Sequence, residues 1–507
     1  VQGERRVRAQ VAVVGGGPVG MLVAAELAAY GIDTVLLESR ARVSDRPKAT
    51  TLHARAVQCL ARRGHLPAPA APYAAARGGR SGSPFHFAGL PGLFITAPET
   101  EPEPILKCPQ ARLEREFEER ARSAGARILR GHRVTRMVQG ADGVRVEAEG
   151  PRGPAVYEAG YVVGADGARS TVREHAGIAS ETHPATISAL MGAVRLAEPD
   201  ALSAGWHRTP RGWIVAKGDA EGRTHLRTLN CAGAHADRHR PPTLEELRAE
   251  VSWIAGREIA MDEPRWLGRF SDFSRLARTF RAGRVFLVGD AAHVHFPIGG
   301  QGLSTGVLDA LNLAWKLALA VRGEAGPELL GTYDAERRPV ARRVIENTRA
   351  QLALMRPGPE LDALRGVFSQ LLAEEGAQGH LGGLISAQDT VLPAVLPAPP
   401  GRSCPGAGTF LHNAVLTTSA GETDVIRLLR GGRPLLLLLG EKGAVHREEA
   451  RGWESVVRVV RARPTPDVPY EALLVRPDGY IAWAPGGPGL GAALSVYFAG
   501  GARTGCA

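Results

Sequence analysis

The sequence predicts an α/β fold of Rossmann-like type, interrupted by a strand-rich layer and followed by a further domain. Four observations predict it. The β-branched run Gln10–Val14 ends in a glycine turn, then a helix-forming stretch (Met21–Tyr30) and a second apolar strand (Asp33–Leu37) closing on Glu38. That is the strand–turn–helix–strand grammar of a parallel sheet. The same buried-strand style returns at Tyr161–Val163 and at Arg284–Val288. From about Ile178 to Phe280 the pattern changes to short alternating segments such as Leu190–Leu196 and Gly212–Ala216, with one amphipathic helix at Thr243–Ile254. Beyond a Pro/Gly-rich linker at 393–408, strands reappear at Leu435–Leu439 and across Ala472–Trp483, the latter a hairpin turned by Pro477-Asp478-Gly479.

The remaining elements follow from local pattern. Helices are expected at Leu52–Arg63, Arg112–Ala124, Leu303–Val321, Pro339–Met355 and Leu361–Glu375, with a helical turn at Ala168–Glu174. Pro67–Pro104 is rich in Pro, Gly and Ala and reads as irregular or in short strands. The Trp315 and Leu319 stripe reads as packing, and Cys231 as an ordinary buried thiol.

Composition bounds the function classes. The 507 residues are 44% hydrophobic and 22% charged, ordinary for globular domains and wrong for disorder or collagen. The longest aliphatic run, Leu435–Leu439, is far short of a membrane span, and no basic-then-apolar leader opens the sequence. Cys59, Cys108, Cys231, Cys404 and Cys506 never form a C-x-x-C pair, which argues against structural zinc and disulfides and for a reducing, cytoplasmic setting. The +10 charge comes from arginines spread along the chain with acids nearby, so nucleic acid is not an expected partner, although anionic cofactors are favoured.

Three motifs carry chemistry. In Gly15-x-Gly17-Pro18-Val19-Gly20, Gly15 permits the tight turn, Gly17 lets backbone approach a pyrophosphate, and Gly20 lets helix pack on strand. Glu38 lies 18 residues beyond Gly20, where a carboxylate can accept ribose hydroxyls. A second match, Gly487-x-Gly489-x-x-Ala492, follows no long strand and leaves too little chain for a downstream acid. The second motif, Gly164-Ala165-Asp166-Gly167, follows a strand and opens a helix. The third, Gly289-Asp290-Ala291-Ala292-His293, runs through Pro297-Ile298-Gly299-Gly300-Gln301-Gly302 into the long helix. There Asp290 could accept ribityl hydroxyls, and Gly299–Gly302 let N–H groups at a helix N-terminus approach an anion.

In this order the three motifs resemble those of flavoprotein monooxygenases of the para-hydroxybenzoate hydroxylase type, over nearly the whole chain. The stretch Leu474–Trp483 narrows the resemblance to aromatic polyketide hydroxylases and rifampicin-type monooxygenases, whose C-terminal domain is thioredoxin-like without redox cysteines. The resemblance implies an FAD-binding domain at 1–75, 105–178 and 281–395, a substrate-binding β layer at 76–104 and 179–280, and a thioredoxin-like domain at 396–507. It places FAD on Gly15, Gly17, Pro18, Val19, Gly20, Glu38, Arg40, Lys48, Gln110, Val134, Asp166, Gly289 and Asp290. Pro297, Gly299, Gly300, Gly302, Leu303 and Ser304 would position the flavin ring. Lys48 stands where the family usually shows arginine, and Ser304 where it shows asparagine.

The activity implied is NADPH- and O2-dependent hydroxylation of an aromatic polyketide through a C4a-hydroperoxyflavin, with no metal and no covalent or acid–base residue. Baeyer–Villiger oxygen insertion, a flavin reductase or oxidase, and an inactive paralogue serving assembly are the alternatives, in a monomer or homodimer. His293 and His295 read as structural before catalytic. Trp206 and Trp213, ahead of Trp253 and Trp266, are the candidate substrate wall.

Overall fold

The computed structural model describes residues 5–44, 46, 48–66, 80–237, 240–326, 328–396, 406–441, 443 and 445–499. Its frame is an eight-stranded sheet. Strand Arg5–Val14 pairs in parallel with Gly153–Gly164 on one side and Thr34–Glu38 on the other, and Gly153–Gly164 pairs in parallel with Val285–Leu287. Val11, Val13, Leu36, Val163 and Phe286 are fully buried, because helices cover both faces of a parallel sheet. The register matters for function: Val14 stands opposite Leu37 and Gly164, and Gly164 opposite Leu287. All three motifs therefore leave the sheet at one level of its C-terminal edge, where open α/β sheets bind ligands.

The helices of the first part are α1 (Pro18–Ala29), α2 (Ala54–Arg62), α3 (Gln110–Ser123), α4 (Thr171–His175), α5 (Leu244–Ala255), α6 (Gly302–Val321), α7 (Thr332–Met355), α8 (Pro359–Leu371) and α9 (Glu375–Ser386). Three depart from expectation. The start of the helix expected at Leu52 is instead strand, Thr51–His53, pairing with Ile105–Lys107. Proline lacks an N–H and reads as a first-turn residue, so Pro339 marked a helix start, yet it lies inside α7. The preceding turns are held because Glu336 and Arg337 are buried and ion-paired. The helix expected at Leu361–Glu375 is α8 and stops at Leu371, while α9, beyond it, was not expected, hidden by Gly376, Gly379, Gly382 and Gly383, poor helix formers. At Gly382 the absent Cβ lets α9 approach the Phe94 carbonyl.

Within 67–104, residues 80–98 form a hairpin, Arg80–Phe87 and Leu90–Pro98, turned at Ala88 and Gly89, while residues 67–79 lie outside the described chain. Both turn residues have positive φ, the geometry that matches strand twist. Gln351 accepts the Ala88 N–H at 3.1 Å and Arg365 donates to its carbonyl at 2.9 Å, holding a conformation unfavourable to alanine. The inserted layer is a five-stranded antiparallel sheet. One face packs Ile214, Ala216 and Leu226 on α5; the other packs Trp213 and Leu229 on Phe296 and Ile298.

The C-terminal part is a six-stranded mixed sheet with short flanking helices, in keeping with the expected thioredoxin-like domain. Its strands Ala472–Val475 and Ile481–Trp483 form the expected hairpin. The turn drives charge into the first domain. Arg476 donates to Glu336 at 2.7 and 2.8 Å and to Asp478 at 2.6 Å, and Lys316 of α6 donates to the same Glu336 at 2.7 Å. Trp315 and Leu319 pack in this junction, as read. Arg62 pairs with Glu101 at 2.7 Å and also donates to the Leu411 carbonyl at 2.8 Å. Burial alone would raise both glutamates, but Arg476 and Lys316 at Glu336, and Arg62 at Glu101, hold each at about 2. A depressed carboxyl stabilises the fold above its ordinary value and loses that contribution as pH falls through the folded value. Denaturant titrations should accordingly show stability declining from about pH 4.5 towards pH 2, with the Glu336→Gln variant showing a shallower decline; an identical slope in that variant would contradict the assignment.

Candidate active site

The three motifs meet. Gly15 has φ +105°, and a Cβ there would lie 2.3 Å from the Ala165 carbonyl oxygen, so the first turn rests directly on the second motif. A Cβ on Gly20 would lie 2.0 Å from the Gly15 oxygen and 3.0 Å from the Ala165 Cβ. Val19 reaches the third motif, 3.4 Å from where a Cβ on Gly289 would stand and 2.7 Å from one on Gly306. Gly17, the N-cap of α1 after Gly15 and before Pro18, has nothing within 4 Å of its Cβ position. Close contact at Gly15 and Gly20 and open space at Gly17 are what a turn, a packing contact and a ligand approach each need.

Donors point into this corner from two helices. Met21 is the first residue of α1 whose N–H closes a turn, onto the Gly17 oxygen at 2.9 Å, and Thr305 is its counterpart in α6, onto Gln301 at 2.9 Å. The N–H groups of Val19 and Gly20, and of Gly302, Leu303 and Ser304, thus have no acceptor within their helices, the ready-made condition for binding anions. Acceptors stand beside them. Glu38 takes the Gly16 and Arg40 N–H groups at 2.6 Å each, one on each oxygen, leaving lone pairs for further donors. Asp290 is solvent-accessible yet enclosed by protein. Burial pushes its carboxyl up against the opposing pull of His293 and Lys48.

Lys48 joins these corners. Burial and the Arg40 charge push its ammonium down, while Glu114, Asp290 and Glu38 push it up, so it sits in the field of both candidate carboxylates. Its chain is held by the Gln110 and Cys108 N–H groups, which donate to Ala49 and Thr50 at 3.0 Å each. Gln110 opens α3 next to it. Arg40 is exposed beside Glu38, and Val134 is half-buried against the core of the nucleotide fold. Asp166 points its carboxylate into the fold, accepting the Ser170 hydroxyl at 2.5 Å and the Val172 N–H at 3.0 Å, so it organises the start of α4.

Pro297 is exposed, and Gly299 and Gly300 have φ +74° and +63°, which bends the loop into the α6 N-terminus. His53 Nε2 donates to the Gly299 oxygen at 2.8 Å, and the His53 N–H donates to Ser304 Oγ at 3.0 Å. Burial lowers the His53 ring to about 4, so it is neutral near pH 7. Ser304, short as it is, ties α6 to strand Thr51–His53. His293 is structural: its Nε2 donates to Asp309 at 2.6 Å, and Asp309 also takes the Gly289 N–H at 3.1 Å and Arg337 at 2.8 Å. His295 is bound to the Phe296 carbonyl at 2.9 Å and lowered to about 4 by burial. The sequence pointed to neither His53 nor Asp309, because each acts through partners far along the chain; Asp309, an acid in an otherwise apolar stretch of α6, was the one available signal.

On the substrate side, Trp213 is buried and donates to the Met355 carbonyl at 2.7 Å. Trp206 stands edge-on to it at 5.8 Å, contacts His86 at 4.8 Å and is 40% exposed, so it alone of the pair offers a ring face. Trp253 lies on α5, behind the sheet, and Trp266 is half-buried on the strand Met261–Ser271. Among the described residues no helix is long and apolar enough to cross a membrane, and no cluster of His, Cys, Asp and Glu is placed to hold a metal ion.

Comparison with known proteins agrees with this geometry. Residues 8–348 match the family described as an FAD binding domain, and residues 404–500 that described as the C-terminal domain of aromatic-ring hydroxylases. The chain is 38% identical to the 12-dehydrotetracycline 5-monooxygenase/anhydrotetracycline 6-monooxygenase of Streptomyces rimosus, over 97% of this chain and 99% of that one. It is 35% identical to a rifampicin monooxygenase of Streptomyces venezuelae, over 94% and 95%. An aromatic hydroxylase from angucycline biosynthesis superposes with a TM-score of 0.86 at 35% identity, covering 97% of this chain and 99% of that one. The chain belongs to the FAD-dependent aromatic-ring monooxygenase family.

Asp309→Ala strands Arg337 in the interior and releases Gly289 and His293. It should cost about 3–5 kcal/mol in denaturant unfolding, and a cost below about 1 kcal/mol would show that Asp309 does not hold this corner.

Proposed function

We propose that this enzyme uses NADPH and O2 to hydroxylate a polycyclic aromatic, polyketide-type intermediate. The observation that carries the reading is the meeting of three glycine-and-acid corners at one level of one parallel sheet. The donor set fits FAD. The N–H groups of Val19 and Gly20 would hold the pyrophosphate, Glu38 the adenosine ribose with Arg40 near the adenine, and Asp290 the ribityl chain. Lys48 would balance the added negative charge. Bound there, FAD supplies hydride acceptance and oxygen activation, chemistry that no side chain here can perform.

The protein's own part is positional. N–H groups of Gly302, Leu303 and Ser304, fixed by the tie from Ser304 to His53, would stabilise negative charge on the reduced ring. The five-stranded sheet closes the cleft with Trp206 and Trp213 and keeps water from the reacting centre. The single usable glycine fingerprint supports NADPH as a transient visitor without a nucleotide fold of its own. We divide the chain at 1–75, 105–178 and 281–395 for FAD, 76–104 and 179–280 for substrate, and 396–507 for the C-terminal domain. The scattered cysteines support a cytoplasmic enzyme.

Purified protein should be yellow, quench FAD fluorescence on titration, and oxidise NADPH faster with a polycyclic aromatic present. Product formed under ¹⁸O2 should carry label; unlabelled product would instead identify a reductase or oxidase. Asp290→Ala should weaken FAD binding about tenfold or more while the protein stays folded, a loss of one charge-assisted contact. Unchanged FAD affinity would remove Asp290 from the site.

A further inference from the structure

Arg227 is solvent-accessible yet largely enclosed by protein, and it has no counter-charge. It lies on Thr224–Asn230, the central strand of the five-stranded sheet, opposite Val215 on one side and Met191 on the other. Trp213 and Leu229 pair one step along on the same face, and that face meets Phe296 and Ile298 beside the flavin loop. Burial pushes the Arg227 pKa down, and no neighbouring acid opposes it. Among the described residues its guanidinium has no hydrogen-bond or ion-pair partner, whereas the interior Arg62, Arg337 and Arg476 all donate to carboxylates.

Two lysines face the same space. Lys217 lies on the neighbouring strand two residues beyond Val215, hence on the same face and diagonal to Arg227. Lys107 comes from the opposite wall, donating to Thr51 Oγ1 at 2.9 Å. Thr51 borders the flavin loop, with its Cβ 3.6 Å from where a Cβ on Gly300 would stand. Burial and the Lys217 charge both push the Lys107 ammonium down, so the two lysines feel one another across the cleft. Nearby acids are engaged elsewhere: Asp219, just past the strand Gly212–Gly218, by His225 at 2.9 Å, and Glu250 of α5, on the far face of the sheet, by Thr228 and Asn230.

Three cations from two walls with no acid between them call for an anion. We propose that Arg227, with Lys217 and Lys107, forms an oxyanion subsite that receives the aromatic substrate in ionised form, through two coplanar oxygens. An ionised hydroxyl beside a ring carbonyl and a carboxylate both present that pair, and the planar fork of arginine matches it. The inference rests on the proposed function, since it specifies the substrate of that same cleft.

The test uses holoenzyme and three probes with one ring system: anthraquinone, anthraquinone-2-carboxylate, and alizarin at a pH where it is ionised. Binding is read from tryptophan quenching and from perturbation of the flavin absorbance. The wild type should bind at least one charged probe about tenfold or more tighter than anthraquinone, and which one does so distinguishes the carboxylate from the hydroxy-ketone. Arg227→Gln should abolish that preference while leaving anthraquinone binding and FAD content unchanged, and Arg227→Lys should restore part of it. No preference in the wild type, or equal weakening of all three probes in Arg227→Gln, would overturn the inference. Loss of FAD binding by the wild type would instead sink the proposed function, so the two failures are separable.

Discussion

Everything in the site depends on one close contact: the Gly15 turn lying against the Ala165 backbone, where no Cβ fits. Parallel pairing of Arg5–Val14 with Gly153–Gly164 brings these strand ends level, and the missing side chains at Gly15 and Gly20 let them touch. Val19 then reaches Gly289 and Gly306, so the third strand end joins the same corner. An extended dinucleotide needs phosphate donors, ribose acceptors and a ring platform along one path. A sheet with aligned strand ends supplies them without any strand having to bend.

Buried charge fixes the rest. Asp309 gathers Gly289, His293 and Arg337, and Glu336 gathers Lys316 and Arg476 from α6 and the C-terminal hairpin. Asp309 lies on α6 and Glu336 on its partner α7, and the α6 N-terminus is also the end of the site proposed to face the flavin ring. Ion pairs of this kind contribute little net stability against an apolar alternative, but removing one member is costly. They lock orientation. The C-terminal domain is therefore bolted to the helix that carries the proposed flavin loop, though none of its described residues belongs to the candidate site.

How much was legible follows from the range over which each signal acts. The strands at Gln10–Val14, Tyr161–Val163 and Arg284–Val288 were readable because doubly buried strands are continuous β-branched runs. The Pro477-Asp478-Gly479 turn was readable from three adjacent residues. Pro339 and the glycines of α9 misled because local propensity argued one way and tertiary packing the other. The glycine corners were visible as motifs, but their mutual contact was not, since it depends on strand register. His53, Asp309 and Arg227 stayed hidden for the same reason: the partners of the first two lie at 299 and 304, and at 289, 293 and 337, while Arg227 is notable only for lacking one.

The most direct measurement of the central claim is a crystal structure of the protein with FAD. The account places the pyrophosphate over the N-terminus of α1, the adenosine ribose on Glu38, the ribityl chain at Asp290 and the ring against Gly299–Ser304. Density for FAD anywhere that leaves Glu38 and Asp290 without a hydroxyl partner would contradict it.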